Sequence, residues 1–341
     1  MIVKPRYLPM RLHVNSALAQ RLAKNHPILP SLDNSSSRVE AGFQGEVETD
    51  FQLQFLNDKE HHIFRDLRLP HSLHPFQLDC LILSTKAIIH LEVKNFTGTL
   101  FFDEKFKQFY QTANAVEKGF QHPLTQLRRQ SAQLKEWLDS HGFPSIPVIS
   151  QLVISNSSAV VKTNDFSIRR LVCKADQLKT QLETLIGKDT PEVLKEKELR
   201  KLSRLLLKEH TIMISDILAH YHISYDELIK GVQCPSCEKY KMERKNRTWV
   251  CPHCLFHSRD AHIRALLDYF LLVKPEITNR GFREFTCLSS ARTATELLSR
   301  LNLPHTGENK WRVYYAPPDV QAILEEKWKN SRNRLRSFIR R

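Results

Sequence analysis

Residues 76–95 read FQLDCLILSTKAIIHLEVKN, two apolar runs joined by a short polar turn. Phe76–Ser84 and Ala87–Val93 have strand length and strand composition, so they are expected to lie side by side in a sheet. Asp79 interrupts the first run, and Glu92 with Lys94 interrupts the second. Side chains alternate along a strand with a period of two, so Glu92 and Lys94 point to one face. With Asp79 on the neighbouring strand, the polar groups are expected to share one pocket. A solvated sheet face carrying an ion pair is the plainer alternative, but a surface strand need not be so apolar around its charges.

The flanking sequence extends this unit in both directions. Residues 45–56 suit an acidic amphipathic helix, Ile63–Leu69 a strand, and the alternation around Phe102, Phe106 and Phe109 a hairpin over Gly98–Gln111. Pro123–Ser140 suits a helix with Leu127, Leu134 and Leu138 on one side, and Val148–Ser155 a buried strand. The resulting αβββαβ order predicts an α/β (α+β) fold, a mixed sheet flanked by helices. Residues 1–40 are expected to form a short helical arm ending in a loop at the polar run Asp33–Ser37, and residues 157–230 a charged helical spacer. At 341 residues, two or three domains are expected.

Asp79 and Glu92 are the hard oxygen donors that Mg²⁺ needs if a phosphodiester is to be hydrolysed. Lys94 is a compact cation suited to orienting water or meeting oxyanion charge. Glu46, on the preceding helix, is a further candidate ligand, and Gln126 a hydrogen-bonding accessory.

Four motifs in this order, GFQGE (residues 42–46), QLDCLILS (77–84), HLEVKNFTG (90–98) and HPLTQ (122–126), resemble the NERD, or nuclease-related, domain. That family is a branch of the PD-(D/E)XK nuclease superfamily. The resemblance runs over about Gly42–Ser155. It implies a restriction-endonuclease-like core over residues 41–156 and an Mg²⁺-dependent (endo)nuclease activity. It also implies Glu46, Asp79, Glu92 and Lys94 as the catalytic set, with Gln126 assisting. The chain departs from the family pattern at His122, where Asn is common, and at Phe106, near a usual Trp.

Further on, CPSC (Cys234–Cys237) and CPHC (Cys251–Cys254) are separated by the 13 residues Glu238–Val250. Two such knuckles joined by a polar hairpin predict a zinc ribbon over residues 231–257, with Cys234, Cys237, Cys251 and Cys254 as ligands and His253 a bystander. Four thiolates leave no open coordination position, so this zinc is expected to be structural. A redox role for the paired cysteines is the alternative. The hairpin holds Lys239, Lys241, Arg244, Lys245 and Arg247 with Trp249, suited to phosphates and a base, or simply to solvent.

Residues 258–318 resemble a winged helix-turn-helix, with a first helix at Asn279–Phe285, a turn at Thr286–Ser290, a recognition helix at Ala291–Asn302 and a wing at Gly307–Tyr315. Arg292, Thr293, Thr295 and Glu296 are the candidates for the major groove. Cys287 stands in the turn where Gly is more usual. A helical hairpin used for packing or for homodimer formation is the alternative. Residues 319–341 form a basic tail, with six basic and no acidic residues from Lys329 on.

The formal net charge of +14, from 51 Lys and Arg against 37 Asp and Glu, favours a polyanionic partner, nucleic acid and DNA above all. Nothing approaches the roughly 18 consecutive apolar residues of a membrane span, and the opening MIVKPRYLPMRLHV lacks an export signal's apolar centre. A cytoplasmic, reducing setting is therefore expected for the seven cysteines. The functions left in view are a DNA nuclease, an RNA nuclease, and a non-catalytic DNA-binding or regulatory protein with a nuclease-like scaffold.

Overall fold

A computed structural model describes the chain except residues 57–59, 73, 144–145, 188–189, 214–215 and 327–341. The basic tail expected from Lys329 therefore lies outside the described residues. The chain divides into two units, one of Met1–Tyr7 with Glu40–Ile212 and the other of Leu8–Val39 with Met213–Arg341. It opens with strand β1 (Ile2–Lys4) and helices α1 (Met10–Arg21) and α2 (Leu29–Gln52). Asp33–Ser37 is thus helical and not the expected loop. The hydroxyl of Ser36 donates back to the Leu32 carbonyl at 2.8 Å, so a residue that favours turns is satisfied within the helix.

In the first unit, β2 (His62–Leu69), β3 (Phe76–Leu83) and β4 (Ile88–Lys94) form the expected meander. Then come β5 (Thr99–Asp103), β6 (Gln108–Ala113), β7 (Val116–Phe120), α3 (Pro123–Ser140), β8 (Val148–Ile154), β9 (Val160–Thr163), β10 (Val172–Lys174), α4 (Leu178–Ile186) and α5 (Glu196–Glu209). The main sheet has the order β1-β2-β3-β4-β8-β10. It is mixed, with β2, β3 and β4 antiparallel and β4, β8 and β10 parallel.

Helices cover both faces of this sheet. Leu134, Trp137 and Leu138 of α3 and Leu199, Leu202 and Leu206 of α5 bury Phe64, Leu81 and Leu83 on one side. Leu53, Leu178 and Leu182 bury Ile63, Cys80, Ile82, Ile89 and Leu91 on the other. The hairpin expected over Gly98–Gln111 goes on into β7, and a second sheet of order β7-β6-β5-β9 results. Two strands, β9 and β10, thus lie within the stretch expected to be a helical spacer and belong to the sheets of this unit.

The second unit adds α6 (Ile217–Tyr221), β11 (Glu243–Lys245), β12 (Thr248–Val250), β13 (His257–Ser258), α7 (Ala261–Leu272), β14 (Glu276–Thr278), α8 (Asn279–Thr286), α9 (Ala291–Ser299), β15 (His305–Thr306) and β16 (Val313–Tyr315). Its small sheets run β11-β12-β13 and β14-β16-β15. Ser290 caps α9 by accepting from the Thr293 amide. Cys287 ends α8 in the left-handed conformation, φ 55°, where glycine is the unstrained residue. Among the described residues no helix is long and apolar enough to cross a membrane.

Candidate active site

The β3–β4 ladder ends at Cys80↔Leu91, and Asp79 and Glu92 are the next residues on their strands beyond that pair. Across the other edge of β3, the pairs Arg65↔Cys80 and Leu67↔Leu78 set Asp66 opposite Asp79. Asp66 has φ 52°, and here the facing of side chains switches, since Phe64 and Leu67 enter one core, as do Leu78 and Leu81. The ladder is irregular at this point. The Asp79 side chain takes up the slack, its Oδ2 accepting from the Val93 amide at 2.9 Å.

Glu92 is buried, and its Oε1 lies 2.6 Å from the Lys94 ammonium. Its Oε2 is also buried and has no hydrogen-bond partner. Lys94 donates in addition to the Gln126 side-chain oxygen on the first turn of α3, at 3.1 Å. Glu46 comes from α2, whose approach depends on Gly45, because a Cβ there would stand 2.5 Å from Ser155 Oγ and 2.6 Å from Asn95 Cβ. The expected residues Glu46, Asp79, Glu92, Lys94 and Gln126 thus come together at one end of β3 and β4.

Three residues that sequence reading passed over join them. The Arg6 guanidinium is buried and pairs with Glu46, with Asp50 through Nε at 2.7 Å, and with the Asp79 carbonyl at 2.9 Å. Asp50 also lies 3.1 Å from Arg65. Asp66 is the third. Asp50 follows Glu46 by one helical turn, and that spacing was a usable signal. Arg6, in KPRYLP, lies in no motif.

Burial and neighbouring acids raise the proton affinity of Asp79 and Glu46. Burial pushes Asp79 well above the usual carboxylate range, and the charges of Glu92 and Glu46 push it the same way against the Val93 amide and Lys94. Glu46 is pushed up to about 7 by burial, which Arg6 opposes and Asp66, Asp50 and Glu92 reinforce. Carboxylates crowded in this way are relieved by a cation or a proton.

In the second unit the Sγ atoms of Cys234, Cys237, Cys251 and Cys254 all lie within 4.8 Å of one another. The pairs Cys234–Cys254 and Cys237–Cys251 stand 3.6 and 3.5 Å apart. Tetrahedral thiolates around zinc at about 2.3 Å would stand about 3.8 Å apart, so the cluster is compatible with a zinc site.

One expectation for the hairpin is corrected. Trp249 is buried, and its indole N–H donates to His262 Nδ1 at 3.1 Å, so it packs against α7 and cannot meet a base. Lys245 is exposed and pairs with Glu243 at 2.6 Å, and Arg247 is exposed at the hairpin tip. Arg292 is exposed on α9, whereas Thr293 is half-buried. Thr295 Oγ1 accepts from the Asn279 side chain at 2.9 Å. Arg244 lies in the field of Glu296 and Arg300, so the hairpin and α9 are electrostatic neighbours.

A mixed sheet between helices, with carboxylates and a lysine gathered where adjacent strands end, defines a restriction-endonuclease-like core. Residues 41–155 match the NERD family, described as nuclease-related domain. No curated protein and no solved structure matches the chain.

Proposed function

We propose that the protein is a divalent-metal-dependent nuclease that hydrolyses phosphodiester bonds in DNA, with Mg²⁺ held by Asp79 and Glu92. The observation that carries this reading is the buried, unpartnered Oε2 of Glu92, whose charge acts on the buried Asp79. Hard oxygen donors with a spare lone pair fit Mg²⁺. When bound, the ion supplies Lewis-acid stabilisation of the phosphate and lowers the pKa of an attacking water. Lys94, steadied between Glu92 and Gln126, is aimed to donate to the phosphate oxygen that gains charge. Glu46 completes the acidic wall of the site.

The same reading gives the four cysteines a structural Zn²⁺, which ties the knuckles and does no chemistry. It gives DNA binding to Lys245 and Arg247 on the hairpin and to Arg292, Thr293 and Thr295 on α9, a helix set beside a small sheet as in a winged helix. Unpaired cysteines suit a reducing compartment such as the cytoplasm. One observation favours the second reading, a DNA-binding protein with an inactive scaffold: Glu46 and Glu92 already have cationic partners within the chain, Arg6 and Lys94.

The test incubates the full chain with linear, circular and single-stranded DNA and with RNA, in Mg²⁺ and then in EDTA, beside Asp79→Ala and Lys94→Ala variants. Metal-dependent cleavage that both variants lose is the expected result. DNA shifted in a gel but never cut under any divalent metal would leave the binding reading in place of the enzyme. Cleavage of RNA alone would overturn the substrate.

A further inference from the structure

Arg6 lies outside residues 41–155, yet its guanidinium enters the acidic cluster. Its side chain is 4% exposed. Nε donates to Asp50 Oδ2 at 2.7 Å, one terminal nitrogen pairs with Glu46, and the other reaches Asp50 Oδ1 at 3.3 Å and the Asp79 carbonyl at 2.9 Å. All three nitrogens are therefore used, on two carboxylates of α2 and on the backbone of β3 at Asp79.

Only a planar fork can do this. A lysine ammonium is a point donor, and from one position it cannot hold two carboxylates a helical turn apart and a strand carbonyl as well. Left alone, Glu46 and Asp50 would repel each other and Asp66, and α2 would gain by turning Glu46 away from β3. Lys94 restrains Glu92, 2.6 Å from its Oε1.

We propose that Arg6 is the positioning residue of the metal site, its guanidinium fork holding Glu46 beside Asp79 so that a divalent cation meets Glu46, Asp79 and Glu92 together. The inference rests on the nuclease reading. It implies that residues 41–155 are incomplete as a catalytic unit, because the arginine enters with the strand β1 segment that precedes them. Arg6 acts through the carboxylates and does not touch the substrate.

Arg6→Gln, Arg6→Lys and Asp50→Asn are made in the full chain loaded with zinc. Mn²⁺ binding is followed by the electron paramagnetic resonance signal of free Mn²⁺, with Asp79→Ala as the blank. DNA cleavage is resolved into kcat and KM, and thermal melting reports folding. Partners that orient metal ligands are worth about 10- to 100-fold in metal affinity, and a loss of that order is expected for Arg6→Gln. KM for DNA should stay unchanged while kcat falls, since the DNA-contacting residues lie elsewhere. Arg6→Lys should recover little, because charge without the fork does not place Glu46. Asp50→Asn keeps the shape of the pair, leaves no buried charge without its cation as Arg6→Gln does, and should show an intermediate loss.

If Arg6→Gln and Asp50→Asn bind Mn²⁺ as the parent does, the inference is wrong, whatever the chain cleaves. If Mn²⁺ binding depends on Arg6 but no nucleic acid is cut, the inference stands and the nuclease reading falls. If the parent chain binds no Mn²⁺ above the Asp79→Ala blank, the metal site itself is refuted and this role for Arg6 with it.

Discussion

His90 stands two residues before Glu92 on the same face of β4, under α3, and illustrates what a buried polar side chain costs here. Its Nδ1 meets Ser131 Oγ at 3.1 Å, while Nε2 has no partner, and burial pulls its pKa down to about 4. In the unfolded chain the ring titrates near 6.5. Between those values the unfolded state binds a proton that the folded state refuses, so stability falls as pH drops through the window. The full difference for this group is about 3 kcal/mol. His13 and His210 are shifted the same way by burial, so the whole chain should share the trend. Urea midpoints measured at neutral pH and again in mild acid should converge in a His90→Gln variant relative to the parent. An unchanged pH slope in that variant would show that His90 is not a source of acid instability.

At the scale of elements, the four-cysteine segment has little strand pairing to hold it together. Its strands are three, three and two residues long, too short to order themselves by pairing alone. The hairpin is anchored by the buried Trp249 and its hydrogen bond to His262 on α7. A strong chelator or Cys251→Ser should therefore melt this segment, expose Trp249, and shift tryptophan emission to the red. The red shift should be missing from a Trp249→Phe control, while the far-ultraviolet dichroism of the main sheet persists. An emission spectrum indifferent to chelation would mean that the knuckles need no metal.

The elements also show what could be read from sequence. β3, β4, α3 and β8 were legible because each keeps one periodicity over its length: β4 is buried from Ile88 to Val93, its apolar residues broken only by His90 and Glu92, and α3 repeats Leu127, Leu134 and Leu138 toward the sheet. The gathering of Glu46, Asp79, Glu92, Lys94 and Gln126 was legible because motif order put them together before any contact was known. Asp33–Ser37 was misread because side-chain satisfaction inside a helix leaves no trace in composition. Trp249 was misread because basic neighbours suggest a solvent-facing aromatic, whereas its face is decided by α7, which lies later in the chain. Arg6 was invisible because its role exists only after β1 pairs with β2, about sixty residues away in sequence.

At the scale of the whole molecule, sequence order and structural units do not coincide. Leu8–Val39 belongs with Met213–Arg341, so α1 must find α7 across the intervening sheet domain in sequence. The contact is specific: Arg21 is fully buried and pairs with Asp268 at 2.8 Å, donates to the carbonyls of Ile229 and Gly231, and lies over the rings of Phe285 and Tyr240. Removing one partner of a buried pair costs about 3–5 kcal/mol where the other is left uncompensated, and here Arg264, 3.0 Å from Asp268, offsets part of that cost. Arg21→Ala should lower the unfolding free energy of this unit, by less than that full amount, and leave the metal-binding behaviour of the other unit unchanged. It follows further that residues 213–341 expressed alone lack both α1 and the counter-charge of Asp268. They should melt without cooperativity, and a peptide spanning residues 8–39 should restore a sharp transition. The peptide with Arg21→Ala should fail to do so. A cooperative melt of residues 213–341 without any peptide would show that α1 is an accessory to this unit and not part of its core.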